Sequence, residues 1–262
     1  MNTIKLSASI ILLLCLFQAN RANAQYTHPE PLSGKQLTKD FIAENLIYPE
    51  QDLEAKKSGT VVITLHVDKD GMGSNYQVKS SFSEAATPIA LDLVKKILWQ
   101  PATHLGLPVA SEHEFEIEFN AKSYNRYWKR HERLALPLTL EADSSYLIYE
   151  NKQLDAYAQP YFADGSNMGQ YIINNLKFPL EAQEREIQGT VRLSFIVETN
   201  GNVSNITIVN SVGGGCDNEA IRLIQETHWI PAVKNEQYVR SRNMQDITFR
   251  IGQRNYQDGN SY

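Results

Sequence analysis

Gly59-Thr60-Val61-Val62-Ile63-Thr64-Leu65-His66-Val67-Asp68-Lys69-Asp70-Gly71 reads as a strand running into a hairpin turn. Val61, Ile63, Leu65 and Val67 alternate with Val62, Thr64, His66 and Asp68, and a period of two places the apolar set on one buried sheet face. Asp70-Gly71 supplies the turn, because glycine accepts the positive φ that a tight hairpin needs. About 130 residues later the pattern returns. Gly189-Thr190-Val191 opens it, and Asn200-Gly201, the strongest short hairpin signal, closes it.

The repeat extends well beyond this stretch. Ile42 to Phe119 lies on Ile172 to Phe249 without a gap. Asn45-Leu46 meets Asn175-Leu176, and Tyr48-Pro49 meets Phe178-Pro179. Ser74-Asn75 meets Ser204-Asn205; Trp99, Pro101 and Ala102 meet Trp229, Pro231 and Ala232. Chance does not hold one register through two tryptophans, the prolines and the turn glycines. This is a duplicated domain of about 80 residues rather than a solenoid, which needs three or more short units.

Each copy predicts the same elements. A short helical stretch (Lys39 to Leu46, or Met168 to Leu176) precedes a proline and a polar run (Glu50 to Lys57, or Leu180 to Ile187). The first strand and its turn follow, then a second strand through Gln77 to Phe82, or Ser204 to Val212. A helix from Ala86 to Leu98 shows one apolar face at Ala90, Leu93, Val94 and Ile97, matched by Ala220, Leu223, Ile224 and Thr227. Asp217 is the expected N-cap of the second of these helices. A last strand, Glu114 to Asn120 or Asp246 to Gly252, completes the unit. Strands and helices segregate, so the class is α+β: two tandem domains, each a small three-stranded antiparallel sheet with two helices.

The flanks divide the chain further. Lys5, the apolar run Ile10 to Phe17 and Ala22-Asn23-Ala24 read together as a secretory signal peptide over residues 1–24, and the run is too short for a membrane span. The first domain is then 25–120 and the second 161–262. Residues 121–160 between them are too apolar for a tether and read as an ordered bridge, with a strand near Tyr146 to Tyr149. The run Trp128-Lys129-Arg130-His131-Glu132-Arg133 reads as a solvated helix face.

Composition narrows the function. The chain has 262 residues, 42% hydrophobic and 21% charged, with a formal net charge of -5. That acidic balance argues against a nucleic-acid partner, which calls for a basic footprint. Loss of the signal peptide leaves a single cysteine, Cys216, so no disulfide forms within the chain. Cys216 reads as a small semi-buried residue, with a reactive thiol at a helix N-terminus as the alternative.

The chemistry motifs of enzymes are missing from the sequence. The six histidines form no His-Glu-x-x-His pattern, and no cysteine pair holds zinc. Gly213-Gly214-Gly215 lacks the Gly-Lys-Ser/Thr end of a P-loop and reads as a turn. No Gly-x-Ser-x-Gly elbow occurs, and no carboxylate pair comes with a third orienting group. The expectation is a non-enzymatic protein with no catalytic residues, metal or cofactor. Trp99 and Trp229, each between a helix and a proline, read as buried wedges, with a peptide-stacking platform as the alternative.

The ordered set Tyr48-Pro49, Gly59-Thr60-Val61, Val67-Asp68 with Gly71, Ser80-Ser81, Ala90, Trp99-Gln100-Pro101-Ala102 and Phe119 resembles the C-terminal domain of the TonB energy-transducing protein. Phe178-Pro179, Gly189-Thr190-Val191, Gly201, Ser211, Ala220, Trp229-Ile230-Pro231-Ala232 and Phe249 repeat it. The resemblance implies the three-strand, two-helix fold, a periplasmic location in a Gram-negative envelope, and capture of an extended peptide from an outer-membrane transporter at the sheet edge. An edge strand offers unpaired N–H and C=O groups that a peptide strand can satisfy. The last strand is the candidate, with outward Glu114, Glu116 and Glu118 in one copy and Asp246, Thr248 and Arg250 in the other as candidate peptide-binding residues. Members that transmit force carry a membrane anchor and a Pro-rich spacer; the 10 prolines here are scattered. The expectation is therefore a soluble periplasmic binding module for envelope proteins. The alternatives are an accessory of energy transduction and a structural or homodimerising module whose sheet edges pair with each other.

Overall fold

The computed structural model describes residues 26–131 and 134–251. The stretch read as a signal peptide lies outside them, as do Glu132, Arg133 and Gly252. The first repeat runs β1 (Tyr26–Thr27), β2 (Glu30–Pro31), α1 (Gly34–Asn45), α2 (Glu50–Glu54), β3 (Gly59–Val67), β4 (Gly73–Ser80), α3 (Ala86–Lys96), β5 (Trp99–Gln100), β6 (Ala102–His104), β7 (Leu107–Val109) and β8 (Ser111–Phe119). The bridge and second repeat run α4 (Ala121–Arg130), β9 (Ile148–Tyr149), a 3-10 turn (Asn151–Gln153), β10 (Gln159–Tyr161), α5 (Met168–Asn175), α6 (Leu180–Glu184), β11 (Gly189–Val197), β12 (Val203–Asn210), α7 (Cys216–Gln225), β13 (His228–Ile230), β14 (Ala232–Lys234) and β15 (Gln237–Phe249). The class is α+β, with small antiparallel sheets in two tandem copies.

Two compact units form. One holds the described residues up to Pro31 with Pro49–Asn120; the other holds Leu32–Tyr48 with the described residues from Ala121. The first unit is built on the three-stranded sheet β4-β3-β8. β3 and β8 pair antiparallel from Gly59↔Phe119 to Val67↔Ser111. The alternation read from sequence holds: Val61, Ile63, Leu65 and Val67 are fully buried. Ala86, Ala90, Leu93 and Val94 of α3 lie in the same core.

The second unit has the corresponding three strands, β12-β11-β15, with two short strands added. β14 folds back on the start of β15, from Ala232↔Val239 to Lys234↔Gln237. β9 lies parallel to β15 at Arg240↔Ile148 and Ser241↔Tyr149. The core gathers Val191, Leu193, Phe195 and Val197 with Ala220, Leu223 and Ile224 of α7.

The hairpin glycines meet the tryptophans in the same way in both copies. Gly71 has φ +82°, and a Cβ there would fall 2.1 Å from the Trp99 carbonyl oxygen; Gly201 has φ +85°, with the Trp229 carbonyl oxygen at 2.3 Å. Backbone N–H groups of Trp99 and Trp229 donate to the carbonyls of Gly71 and Gly201 at 3.3 and 3.0 Å. A short strap completes the correspondence. Pro31 of β2 lies opposite Trp99, and Pro160 of β10 lies opposite Trp229. The duplication thus reaches further toward the N-terminus of each copy than the identity pattern indicates.

Two features depart from the sequence reading. Asp217 is not an N-cap: Gly215 holds that place, at φ +87°, with no side-chain cap. Asp217 instead accepts from the Val212 N–H at 2.9 Å and the Ser211 hydroxyl at 2.5 Å, which ties the Gly-rich turn back onto the helix start. The second departure is α1. Its sequence belongs to the first repeat, yet it packs against β12 in the second unit. Asn45 Oδ1 accepts from the side-chain amides of Asn200 and Asn202 at 2.9 and 3.0 Å, anchoring the helix end on the hairpin turn. Ser194 and Ile196 of β11 are buried as well, so that strand is covered on both faces.

Candidate functional site

β8 carries two different faces. Ile117 and Phe119 point into the core and are fully buried. Phe115 and His113 sit half-buried with their rings 5.2 and 5.0 Å from the Trp99 indole, both edge-on. Burial lowers the His113 pKa, and the nearby His28 adds to the effect. Glu112, Glu114, Glu116 and Glu118 alternate with this set and are all exposed. The period of two alone puts the four carboxylates in one row.

Part of the row already has partners within the sheet. Lys79 of β4 donates to Glu114 at 2.6 Å, and His66 of β3 meets Glu112 at 2.9 Å. Asn120 donates to Glu118 at 3.3 Å. β8 pairs with β3 along one side only; among the described residues no strand pairs with its outer edge. The candidate residues Glu114, Glu116 and Glu118 therefore stand side by side along an open edge. Their backbone lines it, and their side chains flank it.

The three candidates in the second copy are arranged differently. Asp246 accepts from Nε and Nη2 of Arg192 at 2.7 Å each, a bidentate cross-strand pair. That pairing holds the Asp246 carboxyl below the usual carboxylate range, with the hydrogen bond as the main cause. Thr248 shares a 2.9 Å hydroxyl contact with Thr190 opposite. Arg250 is exposed and lies beyond the end of β15. Asp246 and Thr248 come together with β11 side chains; Arg250 does not join them.

The outer side of β15 is partly taken. Ser241 pairs with Val197 of β11 on one side and with Tyr149 of β9 on the other. Glu150, next after β9, meets Arg242 at 3.1 Å. The approach to β9 is fixed by an Asp143 N–H donated to the Tyr238 carbonyl at 2.8 Å and an Arg240 Nη1 donated to the Tyr146 carbonyl at 2.9 Å. Sequence reasoning found a strand near Tyr146 to Tyr149 but not its partner. The available signal was charge: Glu150 in the bridge and Arg242 on an otherwise alternating strand.

The other singled-out residues are packing groups. Trp99 and Trp229 are 2% and 4% exposed, which removes a surface stacking platform. Cys216 is fully buried, and burial followed by the Asp217 charge pushes its thiol pKa up, the opposite of activation. Among the described residues no group of three or more His, Cys, Asp and Glu side chains could hold a metal ion. No helix among them is long and apolar enough to cross a membrane.

The family model described as the Gram-negative bacterial TonB protein C-terminal matches residues 44–121 and 174–251, which are the two repeats. No curated protein matches the chain.

Proposed function

Because the chain belongs to the family of Gram-negative bacterial TonB protein C-terminal domains, we propose that it is a periplasmic, non-enzymatic binding protein that captures extended segments of envelope proteins by strand addition. The family supports a protein-interaction role in the Gram-negative envelope. The open outer edge of β8, beside a fully formed sheet, supports the finer reading. Segments from TonB-dependent outer-membrane transporters are the first ligands to consider. Export would follow from the signal peptide read in residues 1–24.

The two copies suit different roles. In the second, an internal strand already occupies the start of the corresponding edge, which favours a structural role there. The test is hydrogen exchange on the full mature chain with and without synthetic N-terminal segments of the host's outer-membrane transporters. Slowed exchange confined to β8 supports strand addition at the first copy. Exchange unchanged throughout β8 at saturating peptide removes it.

A further inference from the structure

The second copy shows what this edge accepts and, by contrast, what the first copy selects. β9 runs parallel to β15, in the register Tyr149↔Ser241, and the next residue, Glu150, meets Arg242. Ser241 lies opposite Val197 in the second copy, just as Ser111 lies opposite Val67 in the first. Arg242 therefore corresponds to Glu112, and the charge at that place is inverted. The first copy continues the carboxylates as a row, since Glu114, Glu116 and Glu118 follow on the same face, where the second copy has Met244, Asp246 and Thr248. Where the second copy pairs Arg242 with Glu150, just past β9, the first copy presents Glu112. Its occupant must bring the opposite charge.

We propose, resting on the strand-addition reading, that β8 selects a parallel extended segment with Lys or Arg at alternate positions facing Glu112 to Glu118 and apolar residues between them. The alternation follows from the pleat: an added strand directs every second side chain to the carboxylate face, and the rest toward Phe115 and Ile117. Opposite charges directly across neighbouring strands are favourable, and like charges are unfavourable. Glu112 and Glu114 already meet His66 and Lys79, so the strongest demand falls on residues facing Glu116 and Glu118. An acidic segment would place carboxylates directly against this row of carboxylates.

The test uses three labelled nine-residue peptides of identical apolar alternation, with Lys, Ser or Glu at the intervening positions. Binding to the full mature chain is read by fluorescence anisotropy at low and high salt. Protection of β8 is followed in parallel by hydrogen exchange. The Lys peptide should bind about tenfold or more tighter than the Glu peptide, with a gap that narrows as salt rises. The exposed double substitution Glu116→Lys, Glu118→Lys should reverse the order. Equal affinities with β8 protected would overturn the charge selection and leave strand addition standing. No protection of β8 by any peptide would overturn both.

Discussion

Arg240 grips Glu198 from two sides inside the second unit: its Nε and Nη2 each lie 2.8 Å from a carboxylate oxygen, with the side chains 3% and 1% exposed. Ser204 adds a 2.5 Å hydroxyl bond to the same carboxylate, and Nη1 of Arg240 donates to the Tyr146 carbonyl. The first copy has Asp68 and Ala110 at the corresponding places, and Asp68 there accepts from the N–H groups of Asp70 and Met72 in its own turn. The buried pair thus belongs to the second copy alone, and it links the sheet to the segment that leads into β9. Removing one partner strands a buried charge. Arg240→Ala and Glu198→Gln should each lower stability by about 3–5 kcal/mol in urea unfolding. Replacing both with apolar residues should recover much of that loss; equal loss in single and double variants would show that the pair acts chiefly by shape.

Glu44 gives the second unit a pH dependence of definite sign. It lies on α1, half-buried, and burial followed by the Asp40 charge raises its pKa from 4.5 to about 7. Tyr127 is pushed up to about 12 by its own burial and then by Glu44 and Asp40. An acid with a raised folded pKa binds its proton more tightly when folded. Its contribution is fully present below pH 4.5 and is lost as pH rises through about 7. The difference in stability between the native chain and Glu44→Gln should therefore move against the native chain by up to about 3 kcal/mol across that window. A parallel pair of stability curves would contradict the coupling.

The hairpin glycines tolerate no side chain, for the same reason in both copies. At φ +82° and +85° an L side chain is strained, and a Cβ would press on the Trp99 or Trp229 carbonyl at 2.1 or 2.3 Å. Gly71→Ala and Gly201→Ala should each cost more than about 1 kcal/mol, the usual penalty for positive φ alone. The hydrogen bond from the tryptophan N–H should exchange faster in each variant. A loss in one copy only would break the structural equivalence of the two turns.

These sites show why some of the molecule was legible in sequence. Burial of Val61, Ile63, Leu65 and Val67 follows from period alone, and the turn glycines announce their conformation. The acidic row on β8 was visible for the same reason, since alternation fixes a face. What the row borders was not: an open edge is defined by the strands that do not pair there. The straps Glu30–Pro31 and Gln159–Tyr161 are too short for any periodicity. Placement of α1 also escaped, because an amphipathic pattern says that a face is buried and not which sheet buries it. A signal did exist on the receiving side. Phe195-Ile196-Val197 breaks the alternation kept by Leu65-His66-Val67, and an unbroken apolar run marks a strand covered on both faces.

β9 is held by few bonds, which makes its release separable from unfolding. Two residue pairs join it to β15, at Ile148 and Tyr149, and both residues are only half-buried. Proline at Tyr149 removes an N–H and fixes φ, so the short ladder should open while the β12-β11-β15 core keeps its own pairs. Tyr149→Pro is expected to cost roughly 1–2 kcal/mol, with amide exchange accelerated at Arg240 and unchanged in β11. The same variant exposes the start of the β15 edge, where Arg242 has lost the ordered approach of Glu150. An acidic extended peptide should then bind the second copy better than a basic one, the reverse of the order expected at β8. Fast exchange spread through β11 would instead make β9 part of the cooperative core.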